Sequence, residues 1–280
     1  MIQFSNQYCN IISSILEKGN EDTNKRTGVK TKALPGIQMQ CDLSVEFPLL
    51  TVRKIRVENF VAEMMWFLSG GRNTNDWLNS KTKIWESFTT EEGDIETAYG
   101  YRWRKHFGRD QINELVKLLQ KDPSSRHGVV VTWDPSDDGL LGKPKKNVPC
   151  PYTFTVNIIG GRLHLHNIIR SNDMILGAPT DAAGFAFLAL VLAQKLKVEP
   201  GIYTHSISNA HIYEDHYEAA EEMCSRWAIK GLTSMEPIKL PVNSFECCET
   251  RNEVFYDAVV DRFKEKYFPH PAMKGLIITL

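Results

Sequence analysis

Glu63 is the first residue whose setting suggests chemistry, because it lies among Phe60, Val61, Met64, Met65, Trp66 and Phe67. A carboxylate in such a run is either the polar stripe of an amphipathic helix or an acid whose proton affinity is tuned by burial. His164 and His166 stand two apart on a β-like run and so share a face, as metal ligands would. No carboxylate or thiol follows at ligand spacing, and His211 with His216 does not form a zinc-protease helix motif, so no metal is expected. The six cysteines, Cys9, Cys41, Cys150, Cys224, Cys247 and Cys248, fit neither a zinc ribbon nor a CxxC redox pair. Reduced thiols are expected, each a small buried hydrophobe unless its neighbours argue otherwise. Lys25, Arg26 and Lys30 make the segment from Asn24 to Thr31 a basic loop, and no Walker or dinucleotide glycine fingerprint is present.

These residues need elements to position them. Ile11, Ile12, Ile15 and Leu16 recur at helical spacing in Tyr8 to Lys18, with Gly19 as the stop. Ile37 to Leu43 reads as a strand, Val57 to Leu68 as the helix carrying Glu63, and Gln111 to Gln120 as an amphipathic helix closed by Asp122-Pro123. Val129 to Trp133, Tyr152 to Ile159 and Arg162 to Ile169 are rich in β-branched and aromatic residues. Gly160-Gly161 joins the last two as a hairpin. Asp181 to Leu196 is a long buried helix, and Glu214 to Trp227 another. With no repeat or linker, the pattern predicts one α+β domain spanning residues 1–280, helices packed on a sheet.

Composition narrows the functional classes. The chain has 280 residues, 33 Lys+Arg against 34 Asp+Glu, a net charge of -1, 42% hydrophobic and 24% charged residues. That excludes disorder and a whole-protein basic footprint, so nucleic acid is not expected as a partner, and an anionic ligand must meet a local cluster. The longest apolar run, Ala182 to Ala193, is short of the roughly 18 residues of a membrane span. Met1 to Asn20 lacks a basic start followed by an apolar run, so no secretory signal is expected and the cytoplasm is the default.

Three segments are more specific: Val148-Pro149-Cys150-Pro151, then Arg170-Ser171-Asn172-Asp173 continuing through Gly177 to Asp181, then Asn209-Ala210-His211-Ile212-Tyr213. Together they resemble the nucleophile, phosphate-and-base and ribose segments of the thymidylate synthase superfamily. The likeness extends through Arg26-Thr27-Gly28, Phe47-Pro48-Leu49-Leu50-Thr51, Glu63 to Gly70, Ile84-Trp85, Tyr99-Gly100, Ser125-Arg126 and Tyr267 to Pro271 with Lys274. Each motif is weak alone, but their order spans nearly the whole chain.

The resemblance implies a homodimer built on a mixed sheet, with a pyrimidine nucleoside monophosphate as substrate and 5,10-methylenetetrahydrofolate as co-substrate. Cys150 would add to C6 of the base, turning C5 into an enamine-like carbon nucleophile. Glu63 and Tyr99 would manage the C5 proton. The phosphate would meet Arg26, Arg170 and Ser171, with Arg126 donated across the dimer interface, where a planar guanidinium bonds phosphate bidentately. His211 and Tyr213 would hold the ribose, and Trp85, Asp173, Gly177 and the C-terminal Leu280 would face the folate. His127 replaces the second interfacial arginine of many relatives, and Phe88 a second tryptophan.

Departures from the family pattern point to the base. Synthases acting on deoxyuridylate carry Asn where this chain has Asp181. Cytosine offers an amino donor and an N3 acceptor, which a carboxyl group matches, whereas an Asn set to read uracil would turn its own NH₂ toward that amino group. Pro151 replaces a histidine near the uracil O4, and Asn172, like Pro151, resembles the deoxycytidylate hydroxymethylase branch, while Ser171 resembles enzymes of deoxyribonucleotides. The resemblance therefore implies deoxycytidylate 5-hydroxymethylation, with deoxycytidylate methylation and thymidylate synthesis on deoxyuridylate as alternatives. A nucleotide- or RNA-binding relative is the non-enzymatic alternative, disfavoured by retention of Cys150, Glu63, Tyr99 and Arg170.

Overall fold

The computed structural model describes residues 2–23, 25, 27–140, 142–230, 234–276 and 278. Its helices are α1 (Phe4–Lys18), α2 (Val57–Leu68), α3 (Tyr99–Tyr101), α4 (Gln111–Lys121), α5 (Gly177–Leu196), α6 (Tyr217–Lys230), α7 (Ser244–Glu249) and α8 (Glu253–Lys266). The strands are β1 (Asn20–Thr23), β2 (Lys30–Asp42), β3 (Val129–Val131), β4 (Pro151–Ile159), β5 (Arg162–Ile169), β6 (Asn172–Asp173) and β7 (Glu199–Tyr213).

Helix α5 is apolar on every side and forms the centre of the core. It starts four residues before the expected Asp181, because Asp173 Oδ1 accepts the Ile175 and Leu176 amides just ahead of the first turn, where Pro179 is tolerated. At 20 residues it matches a membrane span in length and composition, unlike the shorter run seen in the sequence. Since 78% of its most apolar window is buried by the rest of the protein, it is a core helix. Helix α2 packs against α5, α7 and α8.

The sheet is mixed and open, in the order β1-β2-β7-β5-β4-β3, with β6 paired to β7. β5 and β7 are parallel because α5 forms the crossover between them, and β6 also runs parallel to β7; the other neighbours are antiparallel. The β4–β5 hairpin turns on Gly160 and Gly161, whose φ values of 61° and 75° supply the doubly left-handed turn that matches strand twist. Four differences from the sequence reading have physical causes. The sequence assigns no element to β1, because all four of its residues are exposed and carry no apolar alternation. β2 extends to Lys30 because β7 supplies pairing partners from Thr31 to Asp42. β3 stops at Val131 because the Thr132 and Trp133 amides both turn to the Tyr152 carbonyl, at 2.9 and 3.2 Å. β7 carries no assignment from sequence, since Pro200-Gly201 opens it and polar residues interrupt its middle.

Candidate active site

Cys150 immediately precedes β4, so the sheet fixes its backbone. Its amide donates to Tyr99 Oη at 3.0 Å, and its carbonyl accepts the Arg170 amide at 3.0 Å. The Arg170 side chain turns back onto the same loop, with Nε to the Pro149 carbonyl at 2.8 Å and Nη2 to the Val148 carbonyl at 2.9 Å. Nη2 also lies 3.7 Å from Cys150 Sγ. A fixed guanidinium beside a partly accessible sulfur is the setting in which a thiol acts as nucleophile.

Tyr99 reaches the cysteine because α3 presses onto the end of α2. A Cβ at Gly100 would stand 2.3 Å from the Phe67 carbonyl oxygen, so only glycine allows that approach. Burial, then the nearby Cys150 and Asp181, hold the Tyr99 phenol well above its ordinary acidity, and it remains a hydroxyl.

Glu63 is only 8% exposed, so it is not the polar stripe of a surface helix. Its Oε1 accepts Trp85 Nε1 at 2.7 Å, and Trp85 packs edge-on to Phe88 and Tyr99 at 5.7 and 5.6 Å. Burial first, then the charge of Asp181, push the Glu63 carboxyl up to about 8, while the Trp85 hydrogen bond pulls the other way. An acid poised near neutrality can accept and return a proton within one catalytic cycle. Asp181, in the first turns of α5, is half-buried. Burial raises its carboxyl to about 7, the charge of Asp173 adds to this, and a 2.8 Å hydrogen bond from Asn172 Nδ2 to Oδ2 opposes it.

The short β6 brings the remaining segments together. Asn172 pairs with Ala210 and Asp173 with His211, which sets the Arg170–Asp173 run beside the Ala210–Tyr213 run. His211 is buried, its Nδ1 is 3.1 Å from Asn209 Oδ1, and its ring stands perpendicular to Tyr213 at 5.1 Å. Burial depresses the His211 imidazole, favouring its neutral form. A Cβ at Gly177 would lie 3.0 Å from Asn172 Nδ2, so this glycine leaves room for the amide that bonds Asp181. Ser171 is half-buried between β5 and β6, and Arg126 is exposed on the loop leading into β3. Arg26 and Leu280 lie outside the described residues.

The sequence reading missed two residues here. Tyr203 and His205 lie two apart on β7, both fully buried, and His205 Nε2 is 3.0 Å from Asn172 Oδ1. Their i, i+2 spacing was the available signal, hidden because β7 itself was not read as a strand. His164 and His166 serve the sheet: His164 Nδ1 accepts the Ile202 amide at 3.0 Å, and His166 Nε2 is 2.7 Å from Ser206 Oγ. Among the described residues no cluster of three or more His, Cys, Asp or Glu is arranged to hold a metal ion.

The arrangement offers a thiol backed by an arginine, a buried carboxyl raised to about 8, a buried phenol and a second carboxyl raised to about 7. A family model for thymidylate synthase matches residues 6–278 of the chain.

Proposed function

The chain belongs to the thymidylate synthase family, whose chemistry is one-carbon transfer to a pyrimidine nucleotide, and from that premise we propose that it converts deoxycytidylate to 5-hydroxymethyldeoxycytidylate. The observation that carries the choice of base is Asp181, a carboxyl near 7 where deoxyuridylate enzymes carry an amide. At neutral pH it is available both as an acid donating to cytosine N3 and as an acceptor for the N4 amino group. An asparagine held in the orientation that reads uracil would set its own NH₂ against that amino group, leaving a buried mismatch of about 1–3 kcal/mol per unsatisfied group.

On this reading Cys150 adds to C6, Arg170 supports the sulfur and binds phosphate, and Glu63 with Tyr99 moves the C5 proton. Arg26, Ser171 and Asn172 complete the nucleotide contacts, His211 and Tyr213 hold the ribose, and Arg126 serves the partner subunit's phosphate. Exposed Val129, Val131 and Ile159 support a second copy on the sheet. Trp85 and Phe88 form an aromatic wall beside Glu63 that fits a flat pterin, and Trp85, Asp173, Gly177 and Leu280 would hold the folate. Methylenetetrahydrofolate supplies the one-carbon unit and departs as tetrahydrofolate. Water then adds to the exocyclic carbon, and loss of the Cys150 thiolate from C6 restores the ring.

Incubation with deoxycytidylate and methylenetetrahydrofolate, read by mass spectrometry, tests the proposal. The expected product carries one added CH₂O. A methyl product with dihydrofolate would make the protein a methylase, reaction only with deoxyuridylate a thymidylate synthase, and recovery of both nucleotides unchanged would favour a binding role. Cys150→Ser should abolish turnover while retaining nucleotide binding, and full activity in that variant would remove the covalent mechanism.

A further inference from the structure

We propose that Tyr203, His205 and Asn172 form a directed donor chain that keeps the proton of Asp181 on Oδ1, the oxygen not bonded to Asn172, and so sets which pyrimidine edge the site accepts. This deepens the proposed function and rests on Asp181 as the group that meets the base.

The chain is continuous and buried. Tyr203 Oη is 2.7 Å from His205 Nδ1, His205 Nε2 is 3.0 Å from Asn172 Oδ1, and Asn172 Nδ2 donates to Asp181 Oδ2 at 2.8 Å. Tyr203 and His205 have no exposed surface, and Asn172 is 3% exposed. Complete burial depresses the His205 imidazole to about 3, so it is neutral and carries one N–H. The Asn172 oxygen can only accept, which assigns that hydrogen to His205 Nε2 and leaves Nδ1 to accept the Tyr203 hydroxyl. Every donor then points toward Asp181.

This direction matters for the base. Asp181 Oδ2 is engaged by an inward N–H, which disfavours a proton on that oxygen and leaves Oδ1 to carry it. Were the chain reversed, the Asp181 hydroxyl would donate inward to Asn172 and could not donate to cytosine N3. Gly177 contributes by sparing the Asn172 amide a clash at 3.0 Å. The other titratable groups acting on Asp181 or coupled to it are Glu63 of α2, Tyr99 of α3, Asp173 of β6 and Tyr203 of β7, with Arg170 acting on Tyr99 nearby. None of these donates to Oδ2 in place of Asn172 among the described residues.

Carboxyl-carbon NMR of Asp181 in the nucleotide-free protein tests the chain without reference to any substrate. In Asn172→Leu the Asp181 titration should move up by about one pH unit, the effect of losing one charge-assisted donor. Tyr203→Phe, which removes a single hydroxyl and is the gentler change, should move it in the same direction by less. The ratio of kcat/KM for deoxycytidylate over deoxyuridylate should fall about tenfold in Asn172→Leu, one mismatched buried hydrogen bond's worth. An unmoved titration in both variants overturns the chain. A moved titration with an unmoved ratio overturns its part in base choice, and failure of the wild-type protein to use deoxycytidylate overturns the functional reading while the titration still reports on the chain.

Discussion

Asp138 and Glu63 are both buried carboxylates, and the protein treats them in opposite ways. Asp138 has a side chain fully shielded from solvent, against Arg102 at 1% exposure and Lys145 at 7%. Arg102 bonds both of its oxygens, Lys145 Nζ bonds Oδ1 at 3.0 Å, and the Asp134 amide bonds Oδ2 at 2.9 Å. Burial pushes this carboxyl up, but those hydrogen bonds outweigh it and hold it below its usual range. Glu63 receives only the Trp85 indole, and its strongest charged neighbour is another carboxyl, Asp181, so it rises to about 8. A buried carboxylate with cations is fixed as an ion and serves as scaffold, whereas one denied them can exchange a proton near neutral pH.

The largest test of this contrast is Glu63→Gln, which keeps the Trp85 acceptor and removes the titrating group. Turnover should fall by about 10²–10⁴-fold, the usual contribution of a general acid or base. Stability should move the other way with pH. Because the folded pKa is raised, the contribution of Glu63 is fully present below its ordinary value of 4.5 and is lost as pH rises through about 8. The glutamine variant lacks that loss, so its melting temperature should gain on the wild type between pH 5 and pH 8. A variant that melts in parallel with the wild type across that range would show that Glu63 is not held as a neutral acid.

Next in size is Asp138→Ala, which strands the buried Arg102 and leaves Lys145 with Asp137 alone as its carboxylate partner. The expected cost is about 3–5 kcal/mol of stability, read by denaturant titration, with the folded fraction retaining its KM for nucleotide. Loss of less than about 1 kcal/mol would mean the cluster is no more than a surface pair.

The two regions also differ in how far the sequence reveals them. Helix α2 was read from its apolar run to the residue, and the β4–β5 hairpin from two glycines, because local periodicity and turn chemistry decide those elements. Cys150, Arg170 and Asp181 stood out through motif order, whereas their mutual geometry depends on β6 pairing with β7, a long-range contact without local signature. Arg102 and Asp138, 36 positions apart, sit in runs where nothing distinguishes a buried ion pair from two solvated charges. Strand β7 was hidden for a related reason. Thr204, His205, Ser206, Ser208 and Asn209 interrupt the apolar alternation on both faces of the strand, where Thr204, His205 and Ser206 meet Gln40, Asn172 and His166.

The smallest expected effect is the most selective one. Asp181→Asn preserves volume and the Asn172 contact, since the new side-chain oxygen can still accept the Asn172 N–H. That contact orients the new NH₂ away from Asn172, toward the position from which Asp181 would donate or accept at the base. An amide there offers uracil a donor for O4 but repels the cytosine amino group, so kcat/KM should shift toward deoxyuridylate by about tenfold or more. The carboxyl that Asp181 presents to Glu63 also disappears, so the Glu63 titration should move down from about 8, because the charge of Asp181 is one of the two causes that raise it. Base preference and Glu63 titration are independent measurements on one variant. A shift in the Glu63 titration without a shift in preference would keep the contrast between paired and unpaired carboxylates while removing Asp181 from base selection.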